Sequence, residues 1–338
     1  MIKEAAKKIN AKSDLTADEM SGVMNEIMSG TAETADMVLF LTGLSEKGET
    51  IEEITAAASV MRAHSIRIKP ESAIVLDTCG TGGDRKNTFN ISTAAAFVVA
   101  GCGVTIAKHG NRSVSSICGS ADILEALGIS ISLDKDKIER CLNQIGIAFL
   151  YAPDFHPALK HASAARKQIG RRTIFNILGP LCNPAGATHQ LVGVYSQEIG
   201  PALAAVAGNI GIKHCLAVHG EGVMDEVTTT GWTEINEFFN GQVKTYRILP
   251  EEFGFTRAVA ADIVGAGPME NAAIMLELLK GKPGNKRDIV VFNAAAALYA
   301  ADKVASIKDG ISLACEAIDS GKALEKLTLL KEYGNGKN

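Results

Sequence analysis

The sequence has no excess of basic charge: 34 Lys and Arg stand against 38 Asp and Glu, a formal net charge of −4. A general nucleic-acid binder needs a basic balance or a long basic tract to neutralise phosphates, so that class is disfavoured. No segment runs 18 uninterrupted apolar residues, and the amino-terminal MIKEAAKKINAKSDLTADEM has no apolar stretch behind its positive charges. Membrane spanning and secretion are disfavoured for the same reason. The seven cysteines, at 79, 102, 118, 141, 182, 215 and 315, form no Cys-x-x-Cys pair and no His/Cys cluster at zinc spacing. They read as reduced, mostly buried thiols of a cytoplasmic protein. Internal repeats, low-complexity tracts and long linkers are also missing. What is present, 338 residues of which 46% are hydrophobic and 21% charged, describes a globular protein with one large domain and an appendage, or two domains.

The first 65 or so residues contain no convincing strand and repeat one helix-start signal, Thr16-x-x-Glu19 and Thr50-x-x-Glu53, each a capping box. Met20, Val23, Met24 and Ile27, then Met37, Phe40, Leu41 and Leu44, recur at the spacing of a helix with one buried face. From Ile74 the texture changes to short apolar runs, at 74–76, 104–107, 147–150, 191–195, 216–218 and 289–292, mostly separated by Ala-rich stretches. That alternation predicts an α/β fold with a largely parallel, helix-covered sheet. Between Glu234 and Ile248, Asn240-Gly241 joins two apolar runs and predicts an antiparallel hairpin at the sheet edge. The closing YGNGKN reads as a frayed tail.

Four stretches carry chemistry. Asp77-Thr-Cys-Gly-Thr-Gly-Gly-Asp84 follows a predicted strand, and Asn90-Ile-Ser-Thr93 opens an Ala-rich helix. Glycines let N–H groups turn inward, and a helix start adds unpaired donors, an arrangement that suits phosphate. A dinucleotide fingerprint would need glycine where Arg85 stands, and the nucleotide-triphosphate loop needs a Gly-Lys-Ser/Thr that is absent. The glycines alone would serve a tight turn equally well. The next strand, however, ends in Lys108-His-Gly-Asn-Arg-Ser-Val-Ser-Ser116, so two consecutive strand ends offer anion-binding groups.

The third stretch places adjacent carboxylates, Asp225 and Glu226, after an apolar strand. Magnesium takes one or two carboxylates and completes its shell with water and substrate phosphates, so the pair fits a phosphate-rich site. In the fourth, Arg166, Lys167, Arg171 and Arg172 precede Thr-Ile-Phe-Asn176. Lys167, Arg171 and Arg172 read best as positive charge near a helix carboxyl end, whereas spacing leaves Arg166 open between that role and recognition of a planar carboxylate.

Taken in order, GTGGD at 80–84, NIST at 90–93, KHGNRSVSS at 108–116, GSAD at 119–122, RRTIFNILGP at 171–180 and DE at 225–226 closely resemble the anthranilate phosphoribosyltransferases. The resemblance implies a small amino-terminal helical domain, residues 1–70 completed by helices from about 160–190, and a larger α/β domain over 71–338. It implies transfer from phosphoribosyl pyrophosphate to anthranilate, with two magnesium ions per site. Gly80, Gly83, Asp84, Thr88, Asn90, Ile91, Ser92 and Thr93 inherit contacts to the phosphoribosyl donor. So do Lys108, His109, Gly110, Asn111, Arg112, Ser113, Val114, Ser115, Ser116 and Ser120.

By the same resemblance Asn111 and Arg166 contact anthranilate, and Ser92, Asp225 and Glu226 hold metal. His109 is given no catalytic role. A cytoplasmic homodimer joined through the helical domain is implied, as is anthranilate synthase as a possible partner; nucleic acid and membrane are not. One departure is Ile117-Cys118, where many relatives carry Lys and a small residue. The rival readings are a pyrimidine nucleoside phosphorylase and a nucleic-acid-binding paralogue on the same scaffold.

Overall fold

A computed structural model describes residues 1–83, 86–113 and 117–336. Four helices come first: α1 (Ile2–Asn10), α2 (Ala17–Met28), α3 (Thr34–Lys47) and α4 (Ile51–Ala63). Then follow β1 (Val75–Gly80), α5 (Ile91–Gly101), β2 (Thr105–Gly110), α6 (Ser120–Ala126), α7 (Lys135–Arg140), β3 (Ile147–Tyr151), α8 (Ala152–Phe155), α9 (Lys160–Ile169) and α10 (Ile174–Leu181). The remainder comprises β4 (His189–Gly193), α11 (Gly200–Asn209), β5 (His214–Gly220), β6 (Thr233–Phe239), β7 (Gln242–Ile248), α12 (Pro268–Leu279), α13 (Asn285–Ala300), α14 (Ile307–Asp319) and α15 (Lys322–Gly334).

Both capping boxes close as the sequence predicts, Thr16 with Glu19 and Thr50 with Glu53, each satisfying two otherwise orphan N–H groups. Glu53 does more than cap: fully buried, it also accepts the Leu15 N–H and pairs with Lys47, tying the starts of α2 and α4 together. The predicted apolar stripes of α2 and α3 are buried, and they pack with Ala162, Ala165, Ile174, Phe175 and Leu178 of α9 and α10.

Among the described residues the sheet has seven strands in the order β3-β2-β1-β4-β5-β6-β7. The first five are mutually parallel, and β6 and β7 form the antiparallel edge hairpin around Asn240-Gly241. Alternation along the strands assigns side chains to two cores. Val192, Cys215 and Ala217 pack towards α1–α4 and α11, whereas Leu191, Leu216 and Val218 face the side filled by α5, α13 and α14. The chain passes from β1 outward to β2 and β3, then returns to lay β4 on the other side of β1. That reversal opens a crevice at the carboxyl ends of β1 and β4, where open α/β sheets bind ligands.

Two expectations fail. Ile289–Phe292 is not a strand but the second turn of α13, a helix of 16 residues. A short β-branched run cannot by itself distinguish a strand from a helix buried on all sides; the alanines that follow extend it, and α5 and α14 enclose it. The frayed tail is also shorter than read, because α15 continues through Tyr333 and Gly334, and Asn335 donates to the Gly128 carbonyl.

Candidate functional site

The glycine loop leaves β1 at the crevice and is pinned on both sides. Thr81 donates its N–H to the Gly193 carbonyl at 2.8 Å and accepts the Tyr195 N–H on its hydroxyl at 3.1 Å. Gly82 donates to Asp225 Oδ2 at 3.1 Å. Gly83 has φ of +78°, which favours glycine, and a Cβ there would lie 2.4 Å from the Arg172 guanidinium. Asp84 lies outside the described residues. Thr88 forms an isolated bridge with Val264, and Asn90 stands at the N-cap position of α5 without a side-chain capping bond, its carboxamide bonding instead to the Cys118 carbonyl and to Asn271.

Of the NIST residues, Ile91 and Thr93 are buried, so the Ile91 side chain belongs to the core and only its main chain can serve a ligand. The Ser92 N–H points to Glu226 Oε1 at 3.2 Å. The acid pair therefore touches both the glycine loop and the helix start, although more than 130 residues separate them in sequence.

The second loop rises from β2. Lys108 is buried, and its ammonium donates to the Thr78 carbonyl and lies 3.4 Å from Ser92 Oγ. Burial lowers its pKa, and Asp77 opposes the shift. Asp77, on the neighbouring strand and fully buried, accepts the His109 N–H at 3.1 Å and the Asn183 carboxamide at 2.8 Å. Its pKa is pushed up to about 6 by desolvation, with Lys108 resisting. These contacts fix the direction in which β2 delivers Lys108-His-Gly-Asn.

His109 sits beside His156 with ring centroids 5.2 Å apart, and burial depresses the two imidazoles to about 3 and about 4. Both are neutral near pH 7. Asn111 turns its Oδ1 to the Arg112 N–H, and Arg112 forks onto Glu125 at 2.5 and 2.8 Å with Asp122 at 3.2 Å. Ser113 donates its N–H to Asp122, and the Ser120 hydroxyl bonds the Asn111 carbonyl beside Gly110. Val114, Ser115 and Ser116 lie outside the described residues. Ile117 is 56% exposed and Cys118 is buried, its carbonyl accepting from the Asn90 carboxamide.

Arg166 lies in the last turn of α9, half-buried with its guanidinium 5.4 Å from the Phe175 ring centroid. Burial lowers its pKa, and among the described residues no carboxylate pairs with it. Arg171 pairs with Glu46 of α3, as a surface charge would. Arg172 does not behave as a helix-end charge. Its Nη2 donates to the Gly83 carbonyl at 2.5 Å and lies 3.4 Å from the Gly82 carbonyl, while the guanidinium stacks on Tyr195.

Sequence reasoning missed Arg172, Asn183, Gly193 and Tyr195, and it gave Asp77 no role beyond starting the glycine motif. No local pattern marks them, because each acts on a segment remote in the chain. The glycine loop, the start of α5, the β2 loop and the acid pair nonetheless converge on one crevice.

The glycosyl transferase family's helical bundle domain matches residues 3–65, and that family's a/b domain matches 72–324. An anthranilate phosphoribosyltransferase of Methanocorpusculum labreanum is 50% identical over 339 residues, covering 100% of this chain and 99% of the relative. The chain belongs to the anthranilate phosphoribosyltransferase family. Solved structures of the family agree. The enzyme of Thermus thermophilus superposes with a TM-score of 0.93 at 40% identity, covering 98% of this chain and 99% of that one. The Saccharomyces cerevisiae anthranilate phosphoribosyltransferase, in complex with PRPP and Mg, gives 0.90 at 29% identity, covering 99% and 98%. Among the readings opened by the sequence, membership of this family supports the transferase.

Proposed function

We propose that the protein transfers the phosphoribosyl group of phosphoribosyl pyrophosphate to the amine of anthranilate, giving N-(5-phosphoribosyl)anthranilate and pyrophosphate. One observation carries the reading: Asp225 and Glu226 stand in hydrogen-bond contact with Gly82 of the glycine loop and Ser92 at the start of α5. Phosphate-binding donors and metal-binding acceptors thus share one crevice. The family membership and the PRPP complex of the yeast relative support the same assignment.

The donor set fits magnesium. Among the described residues no three-ligand His/Cys/Asp/Glu cage exists, and magnesium needs none when substrate phosphates and water complete its shell. Asp225, Glu226 and the Ser92 hydroxyl would hold two ions. Bound there, magnesium supplies positive charge against the departing pyrophosphate.

Main-chain donors of the glycine loop and residues 90–93 hold phosphate groups, assisted by the 108–116 loop and Ser120. Lys108 braces Thr78 and Ser92 from beneath. Half-buried Arg166 takes the anthranilate carboxylate, and Asn111 is the second anthranilate contact. The amine attacks the anomeric carbon, forming a C–N bond as the C–O bond to pyrophosphate breaks, through a transition state with oxocarbenium character, and the amine proton passes to water or to the departing pyrophosphate. The protein contributes orientation and charge stabilisation. An imidazole held near pKa 3 is a poor proton acceptor at neutral pH, so His109 is assigned no general-base role.

The same proposal includes the division at residue 70, completion of the helical domain by α9 and α10, a cytoplasmic homodimer joined through that domain, and association with anthranilate synthase. The core shared by α1–α4, α9 and α10 supports the second of these.

The test mixes purified protein, phosphoribosyl pyrophosphate and anthranilate, and follows the loss of anthranilate fluorescence with magnesium and with a chelator. Magnesium-dependent loss is expected. Arg166→Ala should raise KM for anthranilate about tenfold or more, in keeping with loss of a charge-assisted pair. No fluorescence loss from folded protein would overturn the reading.

A further inference from the structure

A polar residue inside the apolar stretch of a buried helix calls for an explanation. α13 carries Ile289, Val290, Val291 and Phe292 and then Ala294 to Ala297, all buried, and between the two runs stands Asn293, also fully buried. Burying a carboxamide is costly unless its donors and acceptor are matched. Here they are. Asn293 Oδ1 accepts the Val227 N–H at 3.0 Å, and Nδ2 donates to the Val227 carbonyl at 2.7 Å and to the Ile289 carbonyl at 2.8 Å. The side chain engages both main-chain groups of one residue, as a neighbouring strand would.

Val227 needs such a partner because it lies in a connection rather than a strand, yet it is fully buried. It directly follows Asp225-Glu226. Upstream, Met224 exchanges both main-chain hydrogen bonds with Gly220 at the end of β5. Downstream, Thr228 donates its N–H to the Thr233 hydroxyl at 2.9 Å. Asn293 holds the point between these ties, next to the residues that reach Gly82 and Ser92.

We propose that Asn293 is a positioning residue of the transfer reaction: its carboxamide, bonded to the Val227 N–H and C=O, sets where Asp225 and Glu226 stand and so the affinity for the divalent cation and its phosphoribosyl pyrophosphate complex. The proposal rests on the function proposed above. An apolar residue at 293 would fill the helix equally well but would leave two buried main-chain groups of Val227 unmatched. The main chain beside the acid pair would then lose its tie at Val227 and keep those at Met224 and Thr228. Partners that orient metal-binding side chains typically affect metal affinity or activity about 10–100-fold when removed.

The experiment uses the full chain. Asn293→Ala and the isosteric Asn293→Asp are compared with the wild type by thermal melting and by steady-state kinetics with magnesium, donor and anthranilate varied in turn. Manganese binding in the presence of phosphoribosyl pyrophosphate is read by electron paramagnetic resonance. Folded variants should need about tenfold or more magnesium for half-maximal rate and bind manganese with the donor correspondingly more weakly. KM for anthranilate should stay within about twofold, a split that general loosening of the core would not produce.

A folded variant with wild-type manganese binding and magnesium dependence overturns the proposal. Hydrogen exchange on the ligand-free wild type tests it even where both variants fail to fold: the Val227 amide should exchange as slowly as the amides of α13, and fast exchange overturns the assignment. If the wild type neither consumes anthranilate nor binds manganese with the donor, the function is wrong, a result distinct from a failure at Asn293.

Discussion

Arg172→Ala tests whether the helical part of the molecule shapes the phosphate loop. The guanidinium reaches from the segment between α9 and α10 to the glycine loop, with Nη2 at 2.5 Å from the Gly83 carbonyl, and lies 3.4 Å from the Tyr195 ring centroid. A hydrogen bond from a charged donor contributes about 1.5–3 kcal/mol, and cation–π contact at an exposed site about 0.5–1. The loop is partly open to solvent, so the lower values apply and their sum is about 2 kcal/mol. Ordering three loop residues costs about 1–2 kcal/mol each, and the remaining bonds from Thr81 and Gly82 do not exceed that cost by much.

Most of the loss should therefore appear as a smaller binding-competent fraction, and apparent affinity falls in proportion. With about 1.4 kcal/mol per factor of ten, KM for phosphoribosyl pyrophosphate should rise by about ten- to thirtyfold. Once the donor is bound the loop is in place, so kcat should change by less than about threefold. Arg172→Lys should resemble the alanine variant, because an ammonium keeps the charge but loses the planar stack and the fork. The assay is fluorescence loss with the donor varied at saturating anthranilate, accompanied by a melting curve. A chain of this size loses about 3 °C for 2 kcal/mol, so both variants should remain folded. A wild-type KM for the donor in folded Arg172→Ala would refute the argument.

Two further outcomes follow from the geometry. A Cβ at Gly193 would stand 1.7 Å from the Asp225 carbonyl oxygen, so Gly193→Ala must push the acid pair aside. The rate should drop about a hundredfold, with overpacking costing about 1–3 kcal/mol of stability, and a wild-type rate would show that the loop can yield. Away from the crevice, His214 lies between Asp302 at 2.8 Å and Glu237 at 3.1 Å, with His189, Tyr299 and Phe239 beside it. Burial alone would depress its pKa, but the two carboxylates outweigh burial and raise it above the ordinary value. Its contribution to stability is full below that ordinary value and fades as pH rises through the raised one. His214→Leu should cost about 2–3 kcal/mol at pH 6, or about 3–4 °C, since Glu237 keeps its bond from Tyr299; the difference from wild type should shrink by pH 9. Equal loss at both pH values would place the effect in packing instead.

The parts of the molecule whose physics is local are legible in the chain alone. Two capping boxes and two apolar stripes specify α2 to α4, Asn240-Gly241 specifies the edge hairpin, and the glycine run followed by Asn90-Ile-Ser-Thr specifies a donor-rich turn onto a helix. The order and spacing of the motifs suffice to point to the family. Folding settles the rest. Whether Ile289–Phe292 forms a strand or a helix depends on what surrounds it, because four apolar residues fit either, and burial on every side selects the helix. Arg172 resembles any helix-end charge until folding brings Gly83, 89 residues away, under its guanidinium. Asn293 resembles a misplaced polar residue until Val227, 66 residues away, supplies its partners. Asp77 gains its role only when Asn183 and the His109 N–H converge on it in an interior from which water is shut out. Propensity and capping act over a few residues, whereas satisfying a buried polar group is a requirement of the assembled interior, and its partner can come from anywhere in the chain.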